Sequence, residues 1–146
     1  MISKRCKYAI KAILYIARHQ YRERPIFSTE IATEEHIPQK FLESILRDLR
    51  NHSILISKRG RNGGYQLHRD PGDINLIEII RIMDGPIALQ PCVSLKYYAP
   101  CEECISEKDC VIRQVFIQVR DATLDIFHKA TVARLTEEGD AGLRSK

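Results

Sequence analysis

The chain has 146 residues, 44% of them hydrophobic and 29% charged, with a formal net charge of +4. That size and apolar content suit one globular domain with an appended partner-contact helix and exclude disorder over most of the length; no run reaches the length of a membrane span, and Met1-Ile2-Ser3-Lys4-Arg5 lacks the apolar stretch of a signal peptide, so the sequence reads as cytoplasmic. Residues 1–69 hold fourteen Lys/Arg against six Asp/Glu, a net of +8 that leaves −4 for the remainder, so the front half is suited to face a polyanion.

Residues 4–19 place Cys6, Ile10, Ile13, Leu14 and Ala17 at helical spacing, leaving Lys4, Lys7, Lys11 and Arg18 more exposed. After a polar break at Pro25, Ser28 has the position of an N-cap, with Phe27 as its hydrophobic staple, for a short helix over 29–35. His36-Ile37-Pro38 makes a turn, and Pro38 suits the first position of a third helix over 39–51. That helix gathers Leu42, Ile45, Leu46 and Leu49 on one face and Gln39, Lys40, Glu43, Ser44 and Arg47 on the other. Two short helices joined by a tight turn, the second with a polar face, form a helix-turn-helix.

Strands over 54–58 and 65–68 flank Arg59-Gly60-Arg61-Asn62-Gly63-Gly64, whose glycines permit the backbone of a tight hairpin tip. A helix followed by a basic, glycine-tipped hairpin is the layout of a winged helix that holds nucleic acid. A fourth helix starts at Asn75, where Asn75 and Glu78 make a capping-box pattern, and stops near Gly85-Pro86; Leu76, Ile79, Ile80 and Met83 close the core. Residues 86–109 read as an irregular loop. The long helix over 110–129 carries more apolar positions (Val111, Ile112, Val115, Phe116, Val119, Leu124, Phe127) than one small domain covers, and at about 30 Å it is a natural dimerisation element.

The expected fold is mainly α with a small β-wing. Residues 1–85 form the winged helix-turn-helix, 86–109 a cysteine loop, 110–138 the dimerisation helix and a short terminal helix, and 139–146 a disordered tail.

In the third helix, Gln39, Lys40, Phe41, Glu43 and Ser44 are placed to meet base edges in the major groove, with Arg47 beside them. Glu43 can accept from cytosine N4; its other reading is a surface acid paired with Arg47 one turn on. Arg59 and Arg61, with Asn62 and Gly63 at the tip, would enter the minor groove or bind phosphate, and Lys4 and Arg50 suit phosphate contacts.

Cysteine usage in a cytoplasmic chain argues for metal or redox work over structural disulfides. Cys6 lies on the apolar face of the first helix and reads as a small buried hydrophobe. The other four form Cys92-x8-Cys101-x2-Cys104-x5-Cys110, soft ligands for an iron–sulfur cluster or zinc, or a thiol redox switch. Closure of the loop on a helix N-terminus would lower thiol pKa values, especially at Cys110. A zinc ribbon usually has two Cys-x2-Cys pairs and a thioredoxin-like enzyme a neighbouring βαβ pattern, and neither is here. The five histidines show no metal-ligand spacing, and no catalytic triad, phosphate loop or paired-carboxylate site marks an enzyme.

Several segments in order, Lys7-Tyr8-Ala9, Glu30-Ile31-Ala32, Ile37-Pro38, Phe41-Leu42-Glu43-Ser44-Ile45-Leu46, Arg59-Gly60 with Gly63-Gly64-Tyr65, and the cysteine loop, carry a family likeness. The chain resembles the Rrf-two-type transcriptional regulators from its start to about residue 135. The resemblance implies a homodimer that binds double-stranded operator DNA, Glu43 as a base reader, and a loop that often holds a 2Fe–2S cluster. Cys92, Cys104 and Cys110 match the family's ligand positions. Its fourth ligand, a histidine after the last cysteine or a carboxylate near the N-terminus, falls here on Arg113 or Lys7, and Cys101 would fill the gap in an all-cysteine site. Arg61-Asn62 stands where Pro-Gly is frequent and Ser44 where Gln or Lys is, changes that bear on the operator sequence and not on DNA binding. The alternative is a zinc-stabilised or thiol-switch nucleic-acid-binding module without a cluster.

Overall fold

Helix α1 (Lys4–Arg18) starts at Ser3, whose side chain accepts from the Cys6 N–H at 3.0 Å and so satisfies one of the free donors of the first turn. Ser3 is itself tied to Asp84 through both its backbone N–H and its hydroxyl, which fixes the start of α1 against the end of the fourth helix. The structure, a computed structural model, describes residues 2–22 and 24–144, the side chains of 141–144 excepted.

After α1 come α2 (Ser28–Glu34), α3 (Gln39–Asn51), β1 (Leu55–Lys58), β2 (Gly64–Leu67), α4 (Leu76–Met83), α5 (Val111–Lys129) and α6 (Val132–Arg144). Ile13, Ile16, Ile31, Leu42, Ile45, Leu46, Leu49, Ile54, Leu55, Ile74 and Ile79 are fully buried where α1, α2, α3, α4 and the hairpin meet. Each such side chain contributes about 1.5–3 kcal/mol by leaving water. The turn between α2 and α3 closes through Ile37 N–H to Ala32 O at 2.9 Å, and it holds His36 at φ +55°.

Strands β1 and β2 pair antiparallel with Leu55 opposite Leu67 and Lys58 opposite Gly64. Ile26 adds an isolated bridge to Tyr65, with N–H to O distances of 2.9 and 2.8 Å in the two directions. The hairpin is thereby stitched to the segment leading into α2. This contact explains Gly64, which has φ +127° and whose Cβ position lies 2.5 Å from the Ile26 carbonyl oxygen.

Three local expectations change. Ser28 is the first residue of α2 and not its cap; Phe27 holds the cap position without a side-chain bond, and Ser28 Oγ accepts instead from Gln39. Pro38 caps α3 from one residue earlier than expected. The chain over 139–144 is helical, not a disordered tail. Helix α6 is capped by Thr131, whose Oγ1 accepts from Arg134 N–H at 3.3 Å, and it packs along α1 with Arg18 reaching Asp140 at 3.5 Å. Val132 is buried and its N–H bonds Ile74 O at 2.8 Å, so α6 joins the winged-helix body and not α5. Ser145 and Lys146 lie outside the described residues.

Candidate nucleic-acid interface and cysteine loop

The first two turns of α3 project from the body with their polar side chains organised. Gln39 Nε2 donates to Ser28 Oγ at 2.9 Å and to Glu43 Oε1 at 2.7 Å. Glu43 is exposed and no ion pair joins it to Arg47 among the described residues, so the surface-pair alternative is not the arrangement adopted. Ser44 Oγ turns back onto Phe41 O at 2.8 Å. Phe41 meets Tyr8 edge-on with ring centroids 5.8 Å apart, and Lys4 Nζ stands 5.7 Å from the Tyr8 ring. The sequence reading missed Tyr8 as the strut under the recognition helix, although its place in α1 one turn after Lys4 was a usable signal.

Beside α3 a cleft of about 290 Å³ is cationic, lined by Phe27, Ser28, Arg50, Lys58, Arg59 and Tyr65. Arg50 and Arg59 are therefore brought together by the tertiary fold, and Lys58 joins them, a residue the sequence reading had only counted as strand. Arg61 and Asn62 are exposed at the tip, where Gly60 has φ +100°. Gly63 differs: it is buried inside the turn, its N–H bonding Gly60 O at 2.9 Å, and a Cβ there would lie 2.5 Å from Lys58 O. Its role is to let the tip close. Lys40 and Arg47 are exposed on the same helix.

Behind this surface Glu30 fastens α2 to α1. It accepts from Tyr15 at 3.0 Å and from Arg22 at 2.5 Å, with Arg24 at 3.5 Å. Burial opposes ionisation of Glu30, but the bonds from Tyr15 and Arg22 outweigh it and hold the carboxyl below its usual value. Burial first, then the bond to Glu30, pushes the Tyr15 hydroxyl up to about 12.

In the cysteine loop, Cys92 is buried in a 3-10 turn, Pro91–Val93, and Arg120 Nη1 of α5 donates to Val93 O at 2.6 Å. Cys101 is exposed, Cys104 is half-buried with its N–H on Cys101 O at 3.2 Å, and Cys110 caps α5 without a side-chain bond. Burial and then the neighbouring Cys110 thiol push the Cys104 thiol up, the reverse of the lowering expected from the helix N-terminus. Arg113 lies 3.6 Å from Glu107, which also accepts from Tyr98. Among the described residues no group of three or more His, Cys, Asp or Glu side chains is arranged to hold a metal ion. The donors have the right chemistry, but as placed they do not fit a four-thiolate cluster: Cys92 is buried within its turn while Cys101 faces solvent. No helix among the described residues is long and apolar enough to cross a membrane.

The Rrf2 family, described as an iron-dependent transcriptional regulator, matches residues 2–138. The chain belongs to the Rrf2 family of transcriptional regulators. It is 42% identical over 142 residues to the rrf2-like HTH-type transcriptional regulator of Rhodobacter capsulatus, covering 96% of this chain and 95% of that one. Among Rrf2-family relatives it is similar to CymR of Bacillus subtilis, 27% identical over 139 residues, with 95% of this chain and 91% of CymR covered. The solved structure of that CymR, described as a global cysteine regulator, superposes with a TM-score of 0.77 over 94% of this chain and 97% of that one, at 26% identity. The IscR structure from T. potens shares the fold, with a TM-score of 0.72 at 24% identity over 95% of this chain and 88% of that one. The helix-turn-helix and wing are thus the DNA-binding part of a transcriptional regulator, not an enzyme.

Proposed function

We propose that the protein is a cytoplasmic homodimer that binds double-stranded operator DNA through α3 and the wing, and takes its signal through the thiols of residues 92–110. The observation that carries the DNA reading is the apposition of an acceptor-bearing recognition face, Gln39 and Glu43, with the cationic Arg50–Lys58–Arg59 cleft. Gln39, Lys40, Phe41, Glu43, Ser44 and Arg47 enter the major groove, and Arg59, Arg61 and Asn62 follow the wing into the adjoining groove or backbone. Lys4 and Arg50 contact phosphate.

Dimerisation rests on α5. It has no buried residue, and Val111, Ile112, Val115, Val119 and Ile126 are between 41% and 73% exposed, an apolar stripe that a second copy's α5 covers. Pairing there sets the distance between two α3 helices, which must match half-sites about 34–36 Å apart.

The thiol input is supported by the nearness of the Cys104 thiol in the loop to Cys110 at the N-cap of α5, by a family described as iron-dependent, and by a solved relative described as a cysteine regulator. The test is anaerobic purification with a visible spectrum, assays of iron, sulfide and zinc, and DNA affinity before and after thiol oxidation. Visible absorption with matched iron and sulfide would make the loop a 2Fe–2S site, held by these thiols in a placement other than the one the structure shows. A colourless, metal-free protein makes it a thiol switch, and zinc alone makes it a structural module. DNA affinity indifferent to Cys104→Ser and Cys110→Ser would defeat the sensing role.

A further inference from the structure

The amide nitrogen of Gln39 has two hydrogens, and the structure uses both within the protein, one on Ser28 Oγ at 2.9 Å and one on Glu43 Oε1 at 2.7 Å. A glutamine that reads adenine needs that nitrogen as a donor to N7 while its oxygen accepts from N6. Here the donor is already committed. We infer that Gln39 is a positioning residue that sets Glu43 for base recognition, and is not itself a base reader. The inference rests on the proposed reading of bases by Glu43.

The charges around Glu43 explain why it needs holding. Lys40 precedes it by three residues and Arg47 follows by four, so both can reach it on the surface of α3. A carboxylate that folds onto either cation loses its free acceptor and neutralises a phosphate-binding charge as well. The bond from Gln39 engages Oε1 and leaves Oε2 to accept from a cytosine N4 amine. Ser28, at the start of α2, anchors Gln39 from the other side, so the position of Glu43 is referred to both helices of the helix-turn-helix. The link from Ser28 to Gln39 was not legible in sequence, because residues 28 and 39 come together only through the turn at His36 and Pro38.

The test uses the full chain and duplexes carrying every single base-pair substitution across a site selected from random DNA. Affinities are measured for the wild type, Gln39→Ala, Glu43→Ala and the double variant. Gln39→Ala is expected to reduce discrimination roughly 3- to 10-fold at the same base pair that Glu43→Ala relaxes, the range for the net loss of one ordinary hydrogen bond. The double variant should then match Glu43→Ala alone. Relaxation at a different base pair, or a uniform drop on every duplex, would overturn the inference while leaving Glu43 as a reader. A wild type without sequence preference, or Glu43→Ala with an unchanged profile, would remove the base-reading role and the inference with it.

Discussion

Arg120 and Val93 stand 27 residues apart in sequence and are joined by a 2.6 Å bond from the guanidinium to the backbone carbonyl. The same guanidinium pairs with Asp121 at 2.7 Å, and the side chain is only 13% exposed. Through this contact the turn holding Cys92 is attached to α5, the helix whose apolar face is free for a second copy. A change in the loop therefore has a direct mechanical route to the proposed dimer helix. Arg120→Ala is expected to cost about 1–2 kcal/mol, because the Val93 carbonyl loses a charged donor, and to accelerate hydrogen exchange across residues 91–95. Exchange unchanged in that segment would show that the turn is held by other contacts.

The Glu30 cluster gives the protein an acid-sensitive joint. Its folded pKa lies below the ordinary 4.5, so its contribution is complete above that value and is lost as pH falls through the lower folded one. Glu30→Gln removes the charge while keeping the shape. It should lower stability at pH 7 by about 1–2 kcal/mol, discounted for partial exposure, and flatten the acid limb of the stability profile. Denaturant titrations at pH 7 and at acid pH compare the two proteins directly.

Backbone geometry distinguishes the glycines of the wing. Gly64→Ala places a methyl group against the Ile26 backbone at φ +127° and should destabilise by about 2–3 kcal/mol or more. Gly60→Ala meets no atom within 4 Å and bears only the strain of φ +100°, about 1 kcal/mol. Ser53 is the converse case: it holds φ +58° after α3, so Ser53→Gly should stabilise by about 0.5–1 kcal/mol. Thermal melting of the three variants should rank them in that order, Gly64→Ala the weakest.

Thiol exposure predicts an order of alkylation. Cys101 should react first, Cys104 and Cys110 next, Cys92 more slowly, and Cys6 only on unfolding. Burial, with a smaller effect from Asp84, pushes the Cys6 thiol up to about 11. With a folded value above the ordinary 9.0, the stability tied to the neutral thiol is present below that pH and is lost as pH rises towards 11. Mass spectrometry after timed alkylation at pH 8 reads the order, and early labelling of Cys6 would contradict its burial.

For the wing, Arg59→Ala should weaken DNA binding and reduce the slope of log affinity against log salt by about one per protomer. An unchanged slope would place Arg59 off the phosphate backbone.

The residues themselves determined the elements and their order. Helical spacing of Leu42, Ile45, Leu46 and Leu49 defined α3 over residues 39–51, and Asn75 marked the start of α4 through its bond to Glu78 N–H, because both signals are local. The basic wing was legible for the same reason: glycines at a hairpin tip answer to backbone sterics within a few residues. Tertiary structure decided what depends on distant neighbours. Ser28 reads as a cap until Gln39, eleven positions on, takes its hydroxyl; Gly139 reads as the start of a loose tail until α6 packs along α1 and Arg18 reaches Asp140. The four loop cysteines share one spacing pattern in sequence, yet Cys92 is buried in a turn that Arg120 bonds at the Val93 carbonyl, while Cys101 faces water. Spacing specifies which side chains are near along the chain; burial and long-range hydrogen bonds, which it does not contain, decide which of them meet.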